Sequence, residues 1–235
     1  MIPFYIYGII IILLLILLFI IYINYDDNNK IVKNINYYAF FDKESSKIIY
    51  NQSNPFYHNL NQVYVSNTIK TELSTSIGNY IKYSKNINNK YKIKSLRLIL
   101  TGPNGIGKTT LIEALAVKFD CGLIHFPKNN YTEKMIHTFF NDINNLSDNN
   151  IIIFNNIDFN SLLLENKQLY DLFAKLIIKN SNYNIFIFTF TDINNIPFTF
   201  TTDYHIHNHY HLNPSINNII NLIKDSVEDY PENKL

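Results

Sequence analysis

The chain alternates between short apolar runs and longer stretches in which apolar residues recur at helical spacing. Leu96, Leu98, Ile99 and Leu100, then Cys121 to Phe126, Ile151 to Phe154 and Asn184 to Phe190, read as strands, the latter two continuous enough to be buried on both faces. Between them, Thr110 to Phe119 carries Leu111, Ala114 and Leu115 on one helical face, and Thr132 to Asn144 carries Met135, Ile136, Phe139, Phe140 and Ile143. Leu162 to Lys179 predicts a further helix and Tyr204 to Leu212 a last, more polar strand. Strands alternating with helices in this way predict an α/β fold, a parallel sheet flanked by crossover helices.

A different pattern opens the chain. From Ile2 to Tyr25 there is no charged side chain, and Ile9 to Ile21 is unbroken aliphatic and aromatic sequence. At about 1.5 Å per residue this stretch reaches roughly 36 Å, enough to cross a hydrocarbon core about 30 Å thick. Tyr5, Tyr7, Tyr22 and Tyr25 stand near its ends, where amphipathic rings favour the headgroup level. Residues 1–25 are therefore expected to be a transmembrane anchor. A cleaved signal peptide is the competing reading, but no Lys or Arg precedes the run and no small-residue cleavage site follows it. Lys30 and Lys33 after the span favour a single-pass orientation with the following domain on the cytosolic or matrix side. Residues 26–90 are expected to form a small membrane-proximal α+β segment and a linker helix, and residues 91–235 the main domain.

Charge narrows the partners. Lys and Arg total 20 against 19 Asp and Glu, so no strong field attracts nucleic acid. Arg97 is the only arginine. A lone Cys121 excludes an intramolecular disulfide and a cysteine metal cluster. Clusters such as Asn86-Ile87-Asn88-Asn89 lie between apolar segments and read as loops.

The chemistry-bearing motif is Gly102-Pro103-Asn104-Gly105-Ile106-Gly107-Lys108-Thr109, which fits G-x-x-x-x-G-K-[ST], with Thr110 next in line. A loop that turns its N–H groups inward around phosphates needs glycine where a side chain would intrude. Lys108 is expected to reach the β- and γ-phosphates and Thr109 to place its hydroxyl on Mg²⁺, with ATP as the nucleotide. The start of the helix near Lys108 adds a favourable dipole. The strand before the loop and the helix after it make the chain a P-loop NTPase candidate.

Three stretches carry a family resemblance: IKTELSTSIGNYIKYSKNINNKYKIKSLRLILTGPNGIGKTTLIEALA, IIIFNNIDF and IFIFTFTDINNI. Across roughly Thr68 to Lys224 their order resembles the AAA+ ATPases, most closely the membrane-anchored mitochondrial chaperones that translocate the Rieske iron–sulfur protein and their viral relatives. The resemblance implies a homo-oligomeric ring, a client protein and a small extra domain, for which Asp42 to Ser66 stands with strand-like runs at Ile48 to Tyr50 and Val63 to Val65. It also implies an acidic pair at the tip of the third core strand, one carboxylate holding Mg²⁺ through water and the other polarising the attacking water. Asn155 and Asn156 stand there instead. An amide keeps the shape but takes no proton and carries no charge, so hydrolysis is expected to be weak or absent.

Two carboxylates remain near these positions. Asp158 either substitutes for the pair or caps the helix that follows, and Asp192 either contacts the γ-phosphate region through water or serves as a turn residue. No arginine occurs in FTFTTDYHIHNHYHL, so the family's arginine finger is expected to be absent, and the segment after Leu212 is expected to supply a helix at Ser215 to Lys224 but not a helical lid. His205, His207, His209 and His211 alternate, which on a strand places them on one face, either as a metal site or as an exposed polar surface. A non-catalytic scaffold stabilised by nucleotide, or a regulatory subunit of a ring, is the alternative to a chaperone-like ATPase.

Overall fold

A computed structural model describes residues 38–42, 47–51, 60–84, 95–128, 131–146, 149–180, 183–214 and 220. The elements are β1 (Tyr38–Asp42), β2 (Lys47–Asn51), α1 (Asn67–Ser84), β3 (Ser95–Thr101), α2 (Lys108–Phe119), β4 (Gly122–Phe126) and α3 (Glu133–Asn144). They continue as β5 (Asn150–Asn155), α4 (Phe159–Glu165), α5 (Lys167–Lys179), β6 (Asn184–Phe190), the one-turn α6 (Phe200–Asp203) and β7 (Asn208–His211). One seven-stranded sheet has the order β2-β1-β4-β5-β6-β3-β7, parallel throughout except for the β1–β2 hairpin.

The strands expected to be buried, Ile151 to Phe154 in β5 and Asn184 to Phe190 in β6, are buried at every position, and so is β3. Because side chains alternate across a strand, the two sheet faces differ in chemistry. One face is aromatic, with Phe126, Phe154, Phe186 and Phe188 meeting Phe139, Phe140 and Phe173 from α3 and α5. The rings pack edge-on or stacked, as in Phe154 against Phe188 at 4.9 Å between centroids. The opposite face is mainly aliphatic, with Leu98, Leu100, Ile151, Ile153, Ile185 and Ile187 under α1 and α2.

Four expectations change. Among residues 26–90, the described strands β1 and β2 do not stand apart from the main sheet. β1 pairs in parallel with β4, Tyr38 opposite Leu123, and Ala39, Phe41 and Ile48 join the aromatic core, so the hairpin is an extension of the main sheet. Alternation within a strand reveals its faces but not its neighbour, which is why the sequence alone did not place it. Ile48 to Tyr50 falls in β2, whereas Val63 to Val65 forms no strand and follows a short 3₁₀ turn at Leu60–Gln62, burying both valines.

The helix expected over Leu162 to Lys179 is two helices. Asn166, at φ −145° and ψ 69°, breaks the run and caps α5 by accepting the Leu169 N–H. The strand expected over Tyr204 to Leu212 is only β7, because Phe200 to Asp203 form α6 and His205 turns through φ 48°. Among the described residues no helix is long and apolar enough to cross a membrane. The anchor expected at 1–25 and the helix expected at Ser215 to Lys224 lie outside those residues, Ile220 excepted.

Candidate functional site

β3 delivers the chain to the phosphate loop at the C-terminal edge of the sheet. Gly102 has φ 148° and donates its N–H to Phe190 O at the end of β6 (3.2 Å). A Cβ there would lie 2.6 Å from Leu212 O, so only glycine lets the loop leave between β6 and the end of β7. Gly107 occupies the left-handed region at φ 95° immediately before α2, and its carbonyl accepts the first helical bond from Leu111. Asn104 and Gly105 are exposed, while Ile106, Thr109 and Thr110 are half-buried.

Lys108 is 6% exposed and donates from Nζ to Gly102 O (2.6 Å) and Pro103 O (3.0 Å). Burial lowers its pKa below that of an ordinary lysine. The ammonium thus holds its own loop through two neutral carbonyls, an arrangement an anion can displace because charge-assisted bonds to phosphate oxygens are stronger. Val65, which the sequence did not point to, packs here, with Cγ2 3.8 Å from where a Gly107 Cβ would sit. Its apolar class was legible, but its place beside the loop was not.

Two strands away, the tip of β5 carries the neutral pair. Asn155 Oδ1 accepts from Thr189 Oγ1 on β6 at 2.7 Å. Asn156 is left-handed, at φ 50°, a conformation asparagine tolerates better than most residues, and its N–H lies 3.0 Å from Thr189 O and 3.1 Å from Thr189 Oγ1. Thr189 is fully buried and holds the Asn155 side-chain amide and the Asn156 backbone N–H. The side-chain Oδ1 of Asn156 is buried with no hydrogen-bond partner. It belongs to a residue that lines a cavity of about 210 Å³ with Ile157, Asp158, Asn160, Phe190, Thr191 and Asn195.

Both nearby carboxylates accept local capping bonds. Asp158 caps α4, its two oxygens accepting from Ser161 N (3.0 Å) and Ser161 Oγ (2.8 Å). Those bonds hold its carboxyl below the usual range and keep it ionised. Asp192 caps the 3₁₀ turn Ile193–Asn195 by accepting the Asn194 N–H at 2.8 Å.

Arg97 is buried in β3, donating from Nε to His205 O and from a terminal nitrogen to Ser95 Oγ. The four histidines do not form one row. His205 sits in the left-handed turn, and His207 Nδ1 accepts the Arg97 N–H before β7 begins. Only His209 and His211 share the strand, both bonded to Thr101 Oγ1 at 2.8 Å. Among the described residues no group of three or more His, Cys, Asp or Glu is placed to hold a metal.

A resident Mg²⁺ fits this edge poorly. Such ions are usually held through one or two carboxylates together with substrate phosphates. Here Thr109 offers a neutral hydroxyl, Asn155 Oδ1 is committed to Thr189, and Asp158 is committed to Ser161.

Leu98 to Ile206 match the sequence profile of the family described as "ATPase family associated with various cellular activities (AAA)". This part of the chain is similar to that family, and it carries a glycine-rich loop after a strand, a mostly parallel sheet and helices on both faces. Among solved structures, the fold is similar to that in "Structural Basis for Katanin Self-Assembly", with a TM-score of 0.57 and 15% sequence identity. The likeness covers 75% of this chain and 60% of that one, so the chain spans less than two thirds of that structure's length. At this identity the resemblance is one of fold. No curated protein matches the chain.

Proposed function

We propose that this protein is an AAA-type nucleotide-binding protein, tethered to a membrane by residues 2–25, that holds ATP on the loop Gly102 to Thr109 with weak or absent hydrolysis. The observation that carries this reading is the contrast within one sheet edge. The loop has its glycine conformations and a buried Lys108, while the position expected to polarise water holds Asn156, an amide that accepts no proton.

Each group near the site then has a limited part. Loop N–H groups and Lys108 bind and orient the phosphates, and the positive end of α2 adds to their attraction. Asn156 Oδ1 is able to orient a water but not to deprotonate it. Asp158 stays with its cap. Mg²⁺, when it accompanies the nucleotide, supplies charge neutralisation of the phosphates, and Thr109 is the residue that would touch it.

A chaperone-like role at a membrane, on the cytosolic or matrix side and in a ring, follows from the resemblance to the Rieske-translocating chaperones. The second reading is a nucleotide-stabilised scaffold or a regulatory ring subunit, favoured by the capped state of both Asp158 and Asp192. Phosphate release from ATP by the full-length chain in detergent, compared with a Lys108→Ala variant, separates the two. Release above the variant's level supports an ATPase, equal release leaves the scaffold, and absence of ATP binding by calorimetry refutes both.

A further inference from the structure

Resting on the nucleotide-binding reading above, we infer that the site binds ATP without a protein-held divalent cation, so that affinity is nearly indifferent to Mg²⁺. The inference follows from where the oxygen atoms of the strand tips are directed.

A hydroxyl has one proton to give. Thr189 Oγ1 accepts from the Asn156 N–H at 3.1 Å and gives its proton to Asn155 Oδ1 at 2.7 Å. Since Thr189 is fully buried, its hydroxyl has no water to turn to, and the pair of bonds fixes the amide of Asn155 with its oxygen inward. What Asn155 presents away from Thr189 is its Nδ2 group. An amide nitrogen is a donor, unable to ligate a cation but suited to a phosphate oxygen.

The nearby carboxylates give the same result. On the loops that leave β3, β5 and β6, the described residues include only two carboxylates, Asp158 and Asp192. Both oxygens of Asp158 accept from Ser161, and Asp192 caps its own turn. Against these stand the donors, which are the N–H groups of a glycine loop, the ammonium of Lys108 and Asn155 Nδ2. A set of donors whose neighbouring carboxylates serve as caps recognises the phosphate oxygens themselves. Mg²⁺ brought by the nucleotide would meet only neutral protein oxygens, the Thr109 hydroxyl and the Asn156 side-chain amide, which add little to affinity.

The test is isothermal titration calorimetry of the full-length chain in detergent with ATP, once in excess MgCl₂ and once in EDTA. The inference expects dissociation constants that differ by less than fivefold. A loss of fivefold or more in EDTA overturns it while leaving the nucleotide reading intact. No binding under either condition refutes the nucleotide reading, and the inference falls with it. Asn155→Asp replaces the donor by a carboxylate at the same position, and binding by this variant is expected to become at least tenfold tighter in MgCl₂ than in EDTA. An Asn155→Asp variant as indifferent to Mg²⁺ as the parent overturns the role assigned to Asn155.

Discussion

The phosphate loop and the tips of β5 and β6 lie at the same edge of the sheet but are built from different kinds of information. The loop depends on backbone conformation, namely φ 148° at Gly102, 78° at Gly105 and 95° at Gly107, with one buried cation. The tips depend on side-chain ionisation, and there the chain has amides that Thr189 holds in place. A grip made of main-chain N–H groups survives the loss of neighbouring carboxylates, because it needs shape and a dipole. Proton transfer needs a group with a suitable pKa, which the proposed reading assigns to neither amide.

The comparison breaks most severely on the loop side. Gly102→Ala forces a Cβ to within 2.6 Å of Leu212 O in a left-handed backbone, and we expect a loss of roughly 3 kcal/mol or more of stability together with ATP binding. Urea denaturation and calorimetry check this, and an unchanged midpoint would contradict the close approach. On the tip side, Asn155→Asp combined with Asn156→Glu is expected to raise ATP turnover about a hundredfold over the parent, the size typical of a positioned general base. Glutamate at the φ 50° position of Asn156 costs roughly 1 kcal/mol in strain.

A third prediction concerns Glu113 of α2, whose carboxyl is pushed up to about 7 by burial from an ordinary 4.5. The folded state keeps this proton where the unfolded chain has released it. Stability is therefore fully present below about pH 4.5 and falls as pH rises towards 7. Glu113→Gln removes the fall, so the variant gains roughly 3 kcal/mol over the parent at pH 8 and nothing at pH 4. His125, held down to about 4 by burial and by Lys128, acts with the opposite sign below pH 6.5, so denaturation curves between pH 6.5 and 8 isolate Glu113.

Smaller effects sharpen the account of the tips. Thr189→Val removes both bonds of the clamp and is expected to cost about 1–2 kcal/mol in thermal or urea unfolding. Asp158→Ala removes the α4 cap and costs about 1 kcal/mol. It leaves ATP turnover unchanged, whereas a drop in turnover would mean that Asp158 leaves its cap to assist the reaction.

Much of this was legible along the chain. The buried strands announced themselves as continuous apolar runs, and the loop announced its conformation through three glycines and a lysine at fixed spacing. Asn155 and Asn156 were recognisable as neutral replacements, because ionisation is a property of residue type. Asp158 and Asp192 stayed ambiguous, since the same residue serves as a cap or as a ligand until its partners are known. The histidines illustrate the limit. Their period of two suggested one strand face, but the left-handed turn at His205 and the late start of β7 divide them.

By itself, then, the sequence determined what depends on a residue and its near neighbours: burial of β5 and β6, the glycine turns, the dipole and cation of the loop, and the neutral side chains at the β5 tip. Tertiary structure alone decided what depends on meeting a distant partner. It brought β1 beside β4, set Val65 against Gly107, and placed Thr189 so that its single hydroxyl proton turns the Asn155 oxygen inward. The physical reason is that backbone preference and ionisation belong to a residue wherever it stands, whereas a hydrogen bond between strands exists only once both are folded into one sheet.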